Sequence, residues 1–272
     1  MGLRVNTNVA ALTSQRNLGA VSSRLQGNFA RLSSGLRIAT AADDAAGLGI
    51  SERMRGQIRS YTVASRNAQD GVSMAQTAEG ALQEVSNNLT RMRELAVQAS
   101  NGTLTTADRS TLNTEFQALV TEINRVSGQT TFNGVNLLDG STTSLNIQVG
   151  LNSGDTIALS LSDTTSTGLS LGSLSVSSSA NASTALAAID TAIDTVTTTR
   201  GTLGAQMNRM TSAISSILNT RDNLSAAESR IRDVDVATET SDLTRNSILQ
   251  QAAISVLSQA NVQPQLALRL LA

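Results

Sequence analysis

The sequence has 272 residues, a net charge of -1 and no Cys, His or Trp, and all 20 of its basic residues are Arg. These absences exclude zinc fingers, disulfide frameworks, thiol nucleophiles, Ser-His-Asp triads and P-loop lysines, so any catalysis would depend on carboxylates. The near-neutral charge gives no reason to expect nucleic-acid binding, and no apolar run approaches the roughly 18–20 residues of a membrane-spanning helix.

The first predicted element is an amphipathic helix close to the N-terminus. Apolar side chains between residues 5 and 36 recur at spacings of three or four, which is the period of one helix face. Gly35 stands where a glycine is expected to end the helix. This face predicts a partner helix, and the apolar stripe includes Val5, Val9, Leu12, Leu25 and Leu32.

A second and much longer helix is predicted over residues 44–99. Its apolar residues keep a seven-residue period for about six heptads, so the helix would be roughly 80 Å long. Asn101-Gly102 is a turn signal that ends it. Thr106 is the predicted N-cap of a third helix.

Residues 131–179 change from helical to strand-like patterning. Apolar and polar residues alternate from Leu145 to Val149, which predicts a small β-hairpin region. Residues 141–185 are rich in Ser and Thr, so this tract is interpreted either as a polar surface loop or as an exposed, O-glycosylated face. The dipeptides that favour hairpin turns are Asn133-Gly134 and Asp139-Gly140.

Helical periodicity returns near residue 185. A heptad seam over residues 185–231 indicates a coiled-coil partner, and the helix at residues 44–99 is the expected one. A last helix follows, and Pro264 is predicted to lie beyond its end. Its apolar face carries Leu249, Ala253, Val256, Leu257 and Ala260.

Together these patterns predict a mainly α fold. Long antiparallel coiled-coil helices would form a rod with a small β-hairpin region, and the N- and C-terminal helices would pair. The predicted domains are a terminal coiled-coil domain of residues 1–43 and 232–272, and a rod domain of residues 44–231 with its β insert at about 131–179.

The terminal helix pair is predicted to be thin. Two helices that share one seam leave other apolar surface uncovered, so the isolated pair has only marginal stability. We therefore expect it to become ordered when neighbouring copies cover that surface. Head-to-tail repetition of such copies would give an open fibre.

Two groups of carboxylates are the candidates for a cation site. Carboxylate oxygens suit hard cations, but EF-hand spacing is absent and the first group lies where a helix N-cap is expected. Helix capping and interface charge are therefore the favoured interpretation, and no metal, cofactor or catalytic residue is predicted. The groups are Asp43-Asp44 and the set Asp233, Asp235 and Glu239.

Several stretches of the sequence closely resemble bacterial flagellin, in order and over almost the whole chain. The N-terminal signature is similar to residues 31–50, RLSSGLRIATAADDAAGLGI. Further matching segments are ASRNAQDG at 64–71, QTAEGAL at 76–82, RELAVQ at 93–98, RVSGQTTFNG at 125–134, LNIQVG at 145–150, AAESRIRDVD at 226–235 and ANVQPQ at 260–265.

The resemblance implies a structural subunit, not an enzyme, that polymerises into the extracellular filament of the bacterial flagellum. In this family the terminal helices form the inner core of the filament, and the long helices with the β-hairpin form the next layer. Residues 180–185 lead directly into the return helix, so the outer domains of larger members are expected to be absent, as in a minimal flagellin.

The resemblance also implies export through the flagellar type III apparatus, in keeping with an N-terminus that lacks the apolar segment of a secretory signal peptide. Expected partners are other flagellin subunits, an export chaperone at the C-terminal helix, the hook–filament junction protein and the filament cap, with no nucleic acid and no membrane. Toll-like receptor 5 recognises many flagellins. The matching positions here are Arg91, Leu95 and Glu115, whereas a second basic position of that epitope is Leu119.

Three alternatives are weighed, one from the same family and two from other classes of function. A hook–filament junction protein of the same family would match less well through both terminal motifs. A coiled-coil binding scaffold would not need these motifs at all. An enzyme embedded in a flagellin would need inserted length that this chain lacks.

Overall fold

The computed structural model describes residues 7–271, and the side chains of residues 7–262. Most of the described chain is helical, with two small antiparallel sheets, which confirms the predicted mainly α fold. Within this described part, no helix is apolar over enough of its length to cross a bilayer. The elements are α1 (Val9–Ser34), α2 (Ala45–Ala99), α3 (Thr106–Gln129), β1 (Thr131–Phe132), β2 (Val135–Asn136), β3 (Ser144–Gln148), β4 (Thr156–Ser160), α4 (Ser179–Arg232) and α5 (Val236–Leu271).

The chain divides into two compact units. The terminal unit holds the residues up to Gly56 together with those from Asn223 onward, and the central unit spans Gln57–Asp222. In the terminal unit α1 packs along α5. The predicted pairing of the N- and C-terminal helices is therefore confirmed.

The core of the central unit lies between α2, α3 and α4. Leu82 and Leu89 occupy successive heptad positions of α2, and both are fully buried. They belong to one apolar cluster with Phe116 of α3 and Leu203 of α4. The heptad pattern in the sequence thus marks the side chains that fill this core.

Two ion pairs show that α2 and α4 run antiparallel in the central unit. Arg93 Nε lies 2.6 Å from Asp190 Oδ1, and Arg200 Nη2 lies 2.8 Å from Glu79 Oε1. The later residue of α2 therefore pairs with the earlier residue of α4, as expected for helices that fold back on each other.

Both sheets are hairpins of neighbouring strands. β1 and β2 are joined by Asn133-Gly134, whose φ angles of 48° and 78° suit the two-residue turn that this dipeptide favours. In β4 the alternating residues Ile157 and Leu159 are buried, which agrees with the period of two in the sequence.

The prediction that Asp139-Gly140 is a hairpin turn is wrong. No strand pair flanks this dipeptide within the described residues. The Asp139 carboxylate instead accepts hydrogen bonds from the backbone N–H and the hydroxyl of Ser141, at 2.9 and 2.6 Å. This local turn satisfies the aspartate without a sheet ladder.

Three helix boundaries differ from those predicted. The N-cap of α3 is Thr105 and not Thr106, because Thr105 and Asp108 form a reciprocal capping box. Helix α4 begins at Ser179, six residues before the heptad seam, because the hydroxyl of Ser178 accepts the N–H of Asn181 at 3.1 Å and caps the first turn. Helix α5 continues through Pro264, which removes one backbone hydrogen bond without ending the helix.

Residues 161–178, part of the polar Ser and Thr tract, run beside α3 without regular structure. Amide side chains of α3 hold this segment by its backbone. Asn113 accepts from the N–H of Val176 at 2.9 Å, and Asn124 accepts from the N–H of Ser166 at 2.8 Å. This part of the tract is therefore packed against the central unit, with Ser166 buried.

Candidate functional site

The α1–α5 pair has its two helices fixed at several points. Asn8 caps α1 through a hydrogen bond from the Ala11 N–H, and its Nδ2 donates to the Ala260 carbonyl of α5 across 2.7 Å. At the other end, Gly35 closes α1 with a φ of 72°, a left-handed conformation that glycine adopts at little cost. The start of α1 thus lies beside Ala260, and its end lies beside the start of α5, where the Val234 N–H donates to the Gly35 carbonyl, so the two helices run antiparallel.

About half of the predicted seam residues face the partner helix within the chain. Leu25 and Leu32 of α1 and Ala253 and Leu257 of α5 are half-buried, and Ala260 is buried. Their spacings of three and four residues place them along the contact line between the helices. Val5 belongs to the same predicted set but lies outside the described residues.

The other predicted seam residues are exposed. An apolar stripe read from one sequence does not distinguish a side chain facing the partner helix from one facing away, and the structure separates the two groups. We call the following four residues the exposed apolar set: Val9 (57% exposed), Leu12 (56%), Leu249 (43%) and Val256 (58%).

The first carboxylate group closes the start of α2. Asp43 accepts from the backbone N–H of Thr40 at 2.9 Å, and this hydrogen bond is the main reason that the pKa of Asp43 is lowered. Asp44 accepts from the N–H groups of Ala46 and Gly47 at 3.0 and 2.9 Å. Asp44 therefore caps the N-terminus of α2, whereas Asp43 holds the turn that leads into it.

The second carboxylate group is divided between two roles. Asp235 caps α5, accepting from the Ala237 N–H and the Thr238 hydroxyl, and the hydroxyl is the main cause of its lowered pKa. Glu239, one turn later, is buried between α1 and α5. The carboxylates that sequence reasoning grouped together thus bind different partners.

Sequence reasoning did not identify the joint of the terminal unit, where the segment between α1 and α2 contacts the segment between α4 and α5. The Arg37 N–H donates to the Arg232 carbonyl at 2.7 Å, and the Val234 N–H donates to the Gly35 carbonyl at 3.0 Å. Arg232 also donates from Nη1 to Glu52 Oε1 at 2.7 Å. No sequence pattern marks this joint, because most of its contacts are hydrogen bonds between backbone groups.

The three positions of the predicted receptor epitope differ in accessibility. Arg91 of α2 and Glu115 of α3 are exposed and form an ion pair of 2.8 Å. The hydrogen bond from Arg91 to Glu115 is the main cause of the raised pKa of Arg91. Leu95 is only 1% exposed and belongs to the core of the central unit.

The terminal regions of the chain match known family models. Residues 5–143 match the bacterial flagellin N-terminal helical region, and residues 186–271 match the bacterial flagellin C-terminal helical region. A flagellin of Halalkalibacterium halodurans is 49% identical over 269 residues, which cover 98% of this chain and 99% of the relative. The flagellar filament 30.7 kDa core protein of Treponema maltophilum is 39% identical, with the same coverage of both chains.

A solved structure agrees with these sequence matches. The crystal structure of Bacillus cereus flagellin superposes with a TM-score of 0.52 at 37% identity, covering 60% of this chain and 94% of that one. The matches include both terminal regions and nearly the full length of the relatives. The chain therefore belongs to the bacterial flagellin family, which is a family of structural proteins and not of enzymes.

Proposed function

We propose that this chain is the subunit of a bacterial flagellar filament and polymerises with copies of itself outside the cell. The observation that carries the proposal is the exposed apolar set on the α1–α5 pair. Membership of the flagellin family, and the filament named for the Treponema relative, support the same function.

The exposed apolar set gives polymerisation a physical driving force. Each of its four side chains leaves 43% or more of its surface in water. Burying apolar surface stabilises a contact by roughly 25 cal/mol per Å². A helix pair of this kind gains most when several copies cover one another, which favours repeated assembly over a single dimer.

The domains of the chain have different roles in this proposal. Residues 1–43 and 232–272 form the terminal coiled-coil domain and line the inner core of the filament. Residues 44–231, with the β insert at about 131–179, form the layer around that core. Only residues 144–185 lie between the two matched regions, so the chain lacks the large variable domain of longer flagellins.

Export and partner binding follow from the same proposal. The subunit leaves the cell through the flagellar type III apparatus, accompanied by a chaperone bound to its C-terminal helix. It then meets the hook–filament junction protein and the filament cap at the site of assembly. Toll-like receptor 5 is a further proposed partner, and its contact uses the exposed pair Arg91 and Glu115.

Electron microscopy of the purified full chain, after seeding with filament fragments, tests the proposed function. The expected result is elongation of the seeds into long filaments. A hook–filament junction protein would instead bind to filament ends without elongating them. Stable soluble oligomers in place of elongation would contradict the proposal.

A further inference from the structure

A cluster of polar side chains lies inside the α1–α5 pair. Asn28 of α1 is 6% exposed and Glu239 of α5 is 8% exposed, although the neighbouring positions Leu25 and Leu32 are apolar. Buried polar groups destabilise a structure unless they are hydrogen-bonded. The partners of these two side chains therefore matter for how the helices pair.

The Asn28 carboxamide is satisfied at both of its ends by α5. Its Nδ2 donates to Glu239 Oε1 at 2.5 Å, and its Oδ1 accepts from Asn246 Nδ2 at 2.8 Å. Arg31 places Nη1 at 3.8 Å from the same Glu239 oxygen. The single asparagine thus connects two α5 side chains that lie on one face of their helix.

The spacing of these partners makes the contact sensitive to register. Glu239 and Asn246 are seven residues apart, and Asn28 bonds to both. If α5 moved by one heptad, Asn28 would face Asn246 and Ala253. The alanine has no polar group to donate, and Glu239 would lose the carboxamide donor that it has in the observed register.

The apolar residues of the seam distinguish the observed register from a slipped register less sharply. Leu25 and Leu32 are one heptad apart on α1, and Leu243 and Leu257 are two heptads apart on α5. Gln250, midway between them, is half-buried, so a slip of one heptad would place Leu25 beside a glutamine without stranding a fully buried polar group. Backbone hydrogen bonds of Gly35 with Val234 and of Arg37 with Arg232 hold one end of the pair, and along the helices themselves polar seam residues are the groups that fix register.

We infer that Asn28, Glu239 and Asn246 set the register in which α1 and α5 pair. The polar cluster excludes slipped pairings because each of them leaves a buried carboxamide or carboxylate without its partner. Polar positions in coiled-coil seams fix register in this manner and lower the stability of the pair. This role rests on the proposed function, because the α1–α5 pair is expected to be ordered only where neighbouring copies cover it.

The absence of Cys from the chain allows a direct test with introduced cysteines. Leu25→Cys with Leu243→Cys reports the observed register, because these positions lie three and four residues from the Asn28–Glu239 contact. Leu25→Cys with Gln250→Cys reports a slip of one heptad. Filaments grown from the full chain by seeding are oxidised, so that a loss of register preference is distinguished from a failure to assemble. The rate at which intramolecular disulfide forms is measured for each pair by mass spectrometry.

The two pairs are compared in two backgrounds. In the otherwise unchanged chain, the in-register pair should form disulfide at least about tenfold faster than the slipped pair, as expected when a slip strands buried polar groups. In the Asn28→Leu/Glu239→Leu background, which removes the cluster and keeps an apolar seam, the two rates should approach each other. Helical circular dichroism verifies that this variant folds.

A swap of similar volume in the same seam, Leu32→Met, serves as the control and should keep the preference for the in-register pair. The inference is overturned by equal rates in the unchanged chain, by a preference that survives the double substitution, or by an equal loss of preference in the control.

Discussion

Arg232, the last residue of α4, donates from Nη1 to Glu52 Oε1 of α2 across 2.7 Å. The side chain of Arg232 is only 12% exposed, and its carbonyl accepts the N–H of Arg37. Arg232 therefore ties the end of α4 to Glu52 in α2 and to Arg37 in the segment between α1 and α2. The hydrogen bond from Arg232 is the main reason that the pKa of Glu52 lies below its usual value of 4.5.

The stabilisation that Glu52 provides should be lost in acid. Its pKa is lower in the folded chain than in the unfolded chain, so the unfolded chain takes up the proton first as the pH falls. The contribution is complete above about pH 4.5 and disappears as the pH falls through the folded pKa. Glu52→Gln should therefore lower the thermal midpoint at neutral pH, and by a smaller amount at about pH 3.

Thermal melts of parent and variant at both pH values, followed by circular dichroism, measure this difference. Other carboxylates titrate equally in the two proteins, so the comparison isolates Glu52. A midpoint difference of the same size at both pH values would show that charge on Glu52 is not what stabilises the joint.

The Arg232–Glu52 pair also shows the limit of reading charge from sequence. The N-terminal 60 residues are rich in Arg and residues 222–242 are rich in acid, which suggests attraction between arginines of the first segment and carboxylates of the second. Arg31 and Glu239 follow that rule at 3.8 Å. The shorter contact, Arg232 with Glu52, joins an arginine of the acidic segment to a carboxylate of the Arg-rich segment. Local geometry and not net charge therefore selects the partners of short ion pairs.

Gly71 of α2 should be intolerant of even one added methyl group. A Cβ there would lie 2.7 Å from Met210 Sδ and 3.1 Å from Ile147 Cγ1, at the place where the β3–β4 hairpin meets two helices. Overpacking of this kind costs about 1–3 kcal/mol. Gly71→Ala should therefore lower the free energy of unfolding of the central unit, as measured by urea denaturation.

Gly80 of the same helix provides the matched control. A Cβ at this exposed position meets nothing within 4 Å, and alanine is the better helix former by about 0.5–1 kcal/mol. Gly80→Ala should therefore stabilise the central unit. Equal effects of the two substitutions would mean that helix propensity alone determines the change in the free energy of unfolding, and that the contact at Gly71 relaxes without cost.

The proposed receptor contact predicts different consequences for Arg91 and Leu95. Arg91→Ala should lower the response of a Toll-like receptor 5 reporter to soluble protein without a large loss of stability, because surface ion pairs contribute about 0–1 kcal/mol. Leu95→Ala should instead destabilise the central unit by about 2–5 kcal/mol, since the side chain is fully buried.

Denaturation curves recorded beside the reporter assay separate these effects. If Leu95→Ala lowers the response while the protein remains folded, the leucine contacts the receptor after a rearrangement. A reporter that responds equally to parent and Arg91→Ala would remove this arginine from the proposed contact.

Periodicity predicted most of the helical fold and only part of the candidate site. The heptad residues Leu82 and Leu89 lie in the core as expected, because a three- and four-residue spacing fixes one helix face. Asn28 was missed, although it stands three residues after Leu25 and four before Leu32. In the sequence alone, a polar residue on an apolar helix stripe only interrupts the periodicity. Its role becomes visible when its hydrogen-bond partners on the other helix are known.

The division of the predicted seam into two groups could not be read from one sequence. Ala253 and Val256 are three residues apart and fall on the same apolar stripe of a helical wheel. In the structure Ala253 is half-buried beside α1, whereas Val256 is 58% exposed. The rotation of α5 against α1 decides this, and that rotation depends on the packing of both helices.

Val256 gives the most direct test of the exposed apolar set in assembly. Val256→Asp leaves the packing within one chain unchanged, because the side chain is largely in water. In a polymer that covers this position, the carboxylate would be buried without a partner, which costs several kcal/mol. Seeded elongation should therefore slow at least about tenfold, as measured by turbidity and electron microscopy. Val256→Ile at the same position keeps the apolar character and should elongate like the parent, so elongation of Val256→Asp at the parent rate would place this residue outside the subunit contacts.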